Sequence, residues 1–213
     1  FNSKNTPNLN GATIVVFYTQ DGIQKQYNVA INPALSVKFE QHQHDFTGAV
    51  IEPFLGDVMK GDSLIFVQGL TGPNAILRLN DVQKLSGSII NGATLEVYAT
   101  ALDGDEDIRP LPTQLSLREK MDDGSLLYIR DFSSASQSGS LSIVGGTPED
   151  IGGGIFKYTF GIGSQLQDII EGNRPNEIYI RTNAKIASMR RAVLFGAGHS
   201  TYPIKLNVTY TKL

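Results

Sequence analysis

Alternation of apolar and polar residues dominates the chain, and it is clearest at the end. Asn176–Thr182, Arg191–Gly196 and Pro203–Lys212 read as three successive strands. In the last, Ile204, Leu206, Val208 and Tyr210 share one face, while Lys205, Asn207 and Thr209 point the other way. A period of two marks an antiparallel strand with one wet face. The clean alternation, with no proline after Pro203, places this strand centrally in its sheet. Earlier, Ala12–Thr19 and Ile23–Ile31 flank Asp21-Gly22, a dipeptide that accepts the positive φ of a tight hairpin turn. Leu35, Val37 and Phe39 alternate with Ser36, Lys38 and Glu40 to give a further strand.

Thr47–Gly61 is a Gly/Pro-punctuated connection, after which Ser63–Gln68 and Ala75–Asn80 flank a turn. Ala93–Ala101 is the best strand of the middle region, with Leu95 and Val97 on one face and Thr94, Glu96 and Tyr98 on the other. Gln114–Lys120, Ser125–Ile129, Leu141–Val144 and the stretch holding Phe156, Tyr158 and Phe160 complete the set. Ser164–Glu171 alone reads as a helix: Leu166, Ile169 and Ile170 are helically spaced, Ser164 caps the start and Gly172 stops it. The expected fold is all-β, an antiparallel β-sandwich of jelly-roll type with one short helix and an N-terminal β-hairpin. Residues 1–213 then form one domain, with a lead-in and hairpin over 1–33 and the jelly-roll body over 34–213.

Composition narrows the function classes. With 213 residues the chain can bury roughly 70% of its unfolded surface, so it needs no staple to fold. Net charge is −3 and no basic stripe exists to neutralise phosphates, which argues against nucleic-acid partners. Cysteine is absent, excluding disulfides, thiolate metal sites and cysteine nucleophiles. No apolar run approaches the roughly 20 residues that cross a bilayer. Starting at Phe1, without an initiator Met, the chain reads as processed.

Two blocks carry a family resemblance: Ala75–Tyr98, with AILRLNDV and NGATLEVYA, and Tyr158–Leu213, closing on PIKLNVTYTKL. Their order resembles jelly-roll domains of the DNRLRE carbohydrate-binding type, although Leu79-Asn80-Asp81-Val82 replaces the acid and aromatic of that pattern. It is similar, more closely, to a family of Bacteroidetes surface lipoproteins catalogued as a domain of unknown function. The shared phrases are His44-Asp45-Phe46, Phe66–Gly72 (FVQGLTG) and the closing LNVTYTKL. The resemblance implies a lipoprotein of the cell envelope, anchored to the outer membrane through an acylated cysteine upstream of Phe1.

Candidate chemistry is sparse. Glu40, His42 and His44 would project from one face of an extended strand as a metal set, with Glu52 and His199 as remote additions; a polar strand end is the competing reading. Asp103, Asp105 and Asp107, with Glu106, form an acidic loop whose spacing suits a structural calcium, though the EF-hand glycine position holds Ile108 and its terminal glutamate position Gln114. A solvated hairpin tip is the alternative there. No nucleophile elbow is present, no motif pairs two carboxylates, and the glycine clusters lack phosphate-loop spacing. The expectation is therefore a non-enzymatic module with no obligatory cofactor.

Sugar-binding sandwiches offer flat aromatics on a wet face. Tyr18, Tyr27, Tyr98, Tyr128, Tyr179 and Tyr202 are candidates, and Tyr98 is the best placed because it shares the polar face of its strand with Glu96. Glu96 would accept hydrogen bonds from sugar hydroxyls. Packing of Tyr98 under the acidic loop is the competing reading. Arg190-Arg191 reads as outer-face charge. Glycan is the first ligand class; contact with another surface protein through exposed strand edges is the second, and a glycan-active enzyme the third.

Overall fold

The computed structural model describes residues 13–30, 43–105, 107–137, 139, 144–183 and 188–213. The chain divides into two compact units, Phe1–Gln43 and His44–Leu213. In the first, β1 (Thr13–Gln20) and β2 (Ile23–Ala30) pair antiparallel in continuous register, Gln20 opposite Ile23. Asp21 (φ 54°) and Gly22 (φ 76°) make the turn, as the Asp-Gly dipeptide predicts. Ile14, Val16, Tyr18, Ile23, Tyr27 and Val29 all lie on one face of this hairpin and are exposed. The expected strand around Leu35–Phe39 lies outside the described residues.

The second unit is a β-sandwich. Its elements are α1 (Val58–Gly61), β3 (Leu64–Gln68), β4 (Ala75–Arg78), β5 (Ser88–Thr100), β6 (Leu115–Lys120), β7 (Leu126–Tyr128), α2 (Arg130–Gln137), β8 (Gly145–Gly152), β9 (Ile155–Gly161), α3 (Gly163–Ile170), β10 (Glu177–Thr182), β11 (Arg191–Phe195) and β12 (Lys205–Lys212). One sheet runs β3-β11-β5-β9-β8, with β12 also on β5; the other runs β4-β10-β6-β7. Pairing is nested: β6 with β7, β5 with β9, β4 with β10 and β3 with β11, all antiparallel. A chain folded back on itself in this way and then rolled so that partners alternate between two sheets is a jelly roll.

Alternation decides what lies between the sheets. Leu95, Val97 and Ala99 of β5, Tyr158 and Phe160 of β9, and Leu194 of β11 meet Leu115 and Leu117 of β6 and Ile178 and Ile180 of β10. Leu166 and Ile169 of α3, with Phe132 of α2, join the same core. A smaller cluster of Ile51, Phe66 and Val193, with Phe46 and Phe54 against it, lies on the opposite face of β3 and β11. The connection through residues 46–55 thus covers the β3–β11 end of that sheet's outer face, while Glu96, Tyr98, Lys157 and Thr159 at the β5–β9 end are half-buried.

Four expectations change. The closing strand β12 is an edge strand: its described pairing is with β5 alone, and Leu206 and Val208 are half-buried. Alternation reports a wet face, and says nothing of a free edge. The Ser-rich stretch 130–137 is a helix, and Gly145–Gly152 is a strand in spite of its Gly, Pro and Asp content. Finally, α3 begins at Gly163 without a cap from Ser164; the Asp131 carboxylate of α2 accepts the N–H groups of Ser164 (3.0 Å) and Gln165 (2.8 Å) instead. Gly172 (φ 77°) follows the helix end, as its sequence position predicts.

Candidate functional site

β11 and β12 run in line along the same edge of β5. β11 pairs with Ala99 and Thr100, and pairing resumes at Lys205 opposite Glu96. Between them the chain leaves the sheet over Gly196–Ile204. Gly196 permits this departure: its N–H donates to Ser63 O at 2.9 Å, and a Cβ there would stand 2.2 Å from Gly61 O and 2.3 Å from Asp62 O. Gly198 N–H donates to Asp62 O at 2.8 Å, fastening the excursion to the end of α1. At its tip His199 Nδ1 accepts the N–H of Tyr202 (3.0 Å) and faces that of Thr201 (3.3 Å), so the neutral ring carries its proton on Nε2.

The excursion brings four rings together. His199 packs on Phe195 with centroids 4.3 Å apart, Tyr202 lies 5.7 Å from Phe195, and Tyr98 of β5 sits 5.4 Å from Tyr202 at an interplanar angle of 40°. Phe195 is buried and anchors the group, whereas Tyr98, Tyr202 and His199 are half-buried and each keeps a solvent face. Lys205 Nζ stands 6.0 Å from the Tyr98 centroid. Tilted aromatic pairs of this kind hold each other's rotamers, which makes a rigid apolar platform.

Polar groups surround the platform. Tyr98 OH donates to Glu96 Oε2 at 3.3 Å, and burial followed by the nearby Glu96 carboxylate raises the phenol pKa. Across the sheet Tyr98 is opposite Lys157 and Glu96 is opposite Thr159. Lys157 Nζ pairs with Glu149 at 2.8 Å, and that bond raises the ammonium pKa. Thr94, Glu149, Lys157 and Thr159 line a shallow groove of about 340 Å³ on the same outer face. A second cavity, about 310 Å³, lies between β3, β4 and the α1 turn, and its walls include Phe54, Leu64, Phe66 and Ile76. That seam also carries Asp57, Asp62, Arg78 and Asn80, but among the described residues no pair of half-exposed tyrosines stands beside it as Tyr98 and Tyr202 stand beside the β5–β9 groove.

Tyr98 and Glu96 therefore lie where alternation puts them, and Tyr98 packs against Tyr202. Within the acidic loop, the structure gives Asp105 a different employment from the calcium set. Its Oδ1 accepts Arg109 Nη1 at 2.7 Å, its Oδ2 accepts Arg191 Nη2, and its side chain is buried. Asp103 and Asp107 are exposed, and among the described residues no group of three or more metal-type side chains converges.

Arg191 shares the outer face of β11 with Val193 but is largely buried there as the ion-pair partner of Asp105, and Arg190 donates to Leu111 O at 2.6 Å, so neither is a free surface charge. Glu40 and His42 lie outside the described residues; His44 contacts Leu70 O and stacks on Phe46. No signal in the sequence joins Phe195, His199 and Lys157 to Tyr98: Lys157 reaches it through the β5–β9 register, and Phe195 and His199 through the excursion between β11 and β12. No family model, curated protein or solved structure matches the chain.

Proposed function

We propose that the outer face of β5 and β9 binds glycan, and that the protein is a non-catalytic binding module of the cell envelope. The observation that carries this reading is the pair Tyr98–Tyr202: two half-exposed rings at fixed separation beside a groove lined by Thr94, Glu149, Lys157 and Thr159. A pyranose has an apolar C–H face and an equatorial ring of hydroxyls. It stacks on the first kind of surface and hydrogen-bonds to the second. The long Tyr98–Glu96 bond is easily exchanged for one to a sugar hydroxyl. A lipid anchor upstream of Phe1, as the lipoprotein resemblance implies, would hold the module at the cell envelope.

A second reading, contact with another surface protein, is favoured by the edge of β12, which is unpaired among the described residues and carries exposed Tyr210, with exposed Leu213 just after it. A glycan array separates the two. The first reading predicts that at least one glycan binds and that Tyr98→Ala weakens it tenfold or more. A blank array, or binding indifferent to Tyr98→Ala, overturns the site and leaves the protein-contact reading.

A further inference from the structure

The other sheet carries a different chemistry on its outer face. Alternation places Tyr179 and Arg181 of β10, Ser116 and Arg118 of β6 and Tyr128 of β7 on that side, opposite the core residues Ile178, Ile180, Leu115 and Leu117. Arg118 is the cross-strand partner of both Tyr179 and Tyr128, and Arg181 is its diagonal neighbour, being paired with Ser116. The Arg118 guanidinium lies 3.2 Å from the Tyr128 ring centroid. Tyr128 is itself fixed, donating its OH to Asn183 Oδ1 at 2.7 Å, while Asn183 Nδ2 donates to Gln114 Oε1 at 2.8 Å.

These two cations lack what the other arginines have. Arg78, Arg109, Arg130, Arg174 and Arg191 each pair with a carboxylate, and Arg190 donates to a carbonyl. Among the described residues no carboxylate pairs with Arg118 or Arg181. The nearby Glu177 is engaged by Arg78 at 2.8 Å. Among the described residues Arg118 Nε makes only a long contact to Ser116 Oγ (3.4 Å), and Arg181 Nε is buried with no hydrogen-bond partner. Burial lowers the pKa of both groups, with Tyr128 opposing that fall at each, and the like charge of Arg181 further lowers that of Arg118. A buried, unsatisfied donor on one of two adjacent, uncompensated cations is a costly arrangement unless something supplies the missing acceptor.

We propose that Arg118 and Arg181 form a binding site for an oxyanion carried by a ligand: a carboxylate, a sulfate ester or a phosphate ester. A guanidinium presents a planar fork that matches two oxygens of such a group, and the stacking of Arg118 on Tyr128 holds one fork in place before the ligand arrives. The oxyanion neutralises both charges together and accepts the orphaned Arg181 Nε–H. This site is on the opposite sheet from the glycan platform and does not depend on it.

Thermal melts and calorimetric titrations with sodium sulfate, sodium phosphate and methyl glucuronide test it, each against sodium chloride at equal ionic strength. At least one of the three anions is expected to bind saturably and raise Tm, since a ligand of the native state stabilises it by mass action. Which of them binds best identifies the chemistry the site prefers. Arg118→Gln and Arg181→Gln each reduce the affinity tenfold or more, Arg181→Lys reduces it less, and Arg78→Gln, on the same face but already paired with Glu177, leaves it unchanged. In chloride alone Arg181→Gln keeps or raises the wild-type Tm, because it removes an uncompensated charge. A wild-type response no greater than that to chloride overturns the proposal. So does an Arg181→Gln protein that melts lower in chloride yet retains the full anion response, which would show a purely structural arginine.

Discussion

Replacing Asp105 with Asn isolates the ion-pair triad that holds the loop after β5. The side chain is 8% exposed, Arg191 12% and Arg109 34%. Asn keeps the volume and the main-chain bonds from Ile108 and Arg109 to the Asp105 carbonyl, but removes the charge that both guanidiniums face. Arg191 is the decisive partner. Among the described residues its Nε has no acceptor and Asp105 is its one counter-charge, so the substitution leaves a largely buried cation without one.

Breaking a buried pair from one side costs about 3–5 kcal/mol. The Arg109 half, a third exposed, adds no more than about 1 kcal/mol after solvent screening. The lower end, about 3–4 kcal/mol, is the expected total because Arg191 can relax toward water, and it lowers Tm by about 6–16 °C in a domain of this size. Differential scanning calorimetry of Asp105→Asn beside Arg109→Gln measures both halves. A fall below about 2 °C for Asp105→Asn, the size of an ordinary surface substitution, would refute the reasoning.

Two further changes probe the frame of the site. Tyr158 is buried with its OH donating to Pro112 O at 2.9 Å, so Tyr158→Phe is expected to cost about 1–2 kcal/mol in chemical denaturation. Burial raises the Tyr158 pKa above its ordinary value near 10, so the stability linked to this phenol is complete below about pH 10 and is lost as pH rises beyond it; the wild type should lose stability more steeply there than Tyr158→Phe. Asp131→Ala leaves the Ser164 and Gln165 amides of α3 without their acceptor, an expected loss of about 1–2 kcal/mol. Amide exchange should accelerate first at those two positions, and unchanged protection there would show that Asp131 is not the cap.

Thr94 to Tyr98 was legible in the sequence because a period of two is a direct statement about faces, and β5 obeys it. The nested jelly-roll order was legible only as a class, since pairing partners are set by long-range register that no local pattern encodes. Local chemistry misled at three places. Ser133, Ser134 and Ser136 hide the apolar stripe of α2, which rests on Phe132 and Ala135. Gly145, Gly146 and Pro148 disguise β8, whose glycines are required where the strand crosses closely over Thr159 and Leu115 backbone.

Asp105 is the third. Its place in a run of acids suggests a cation site, whereas its counter-charge Arg191 comes from β11, distant in sequence. Tyr98 and Tyr202 are likewise far apart in sequence. Each is a plausible stacking residue alone, and only the break between β11 and β12 makes them a pair.

The central claim is that sugars are held by the tyrosine pair on the β5–β9 face. Its most direct measurement is a titration of protein isotopically labelled at tyrosine with the glycans that score on an array, followed by NMR ring resonances. The account predicts saturable shifts at Tyr98 and Tyr202, with Tyr158, sealed in the core, unmoved. The absence of any binding glycan, or saturable shifts confined to tyrosines away from this face, would contradict it.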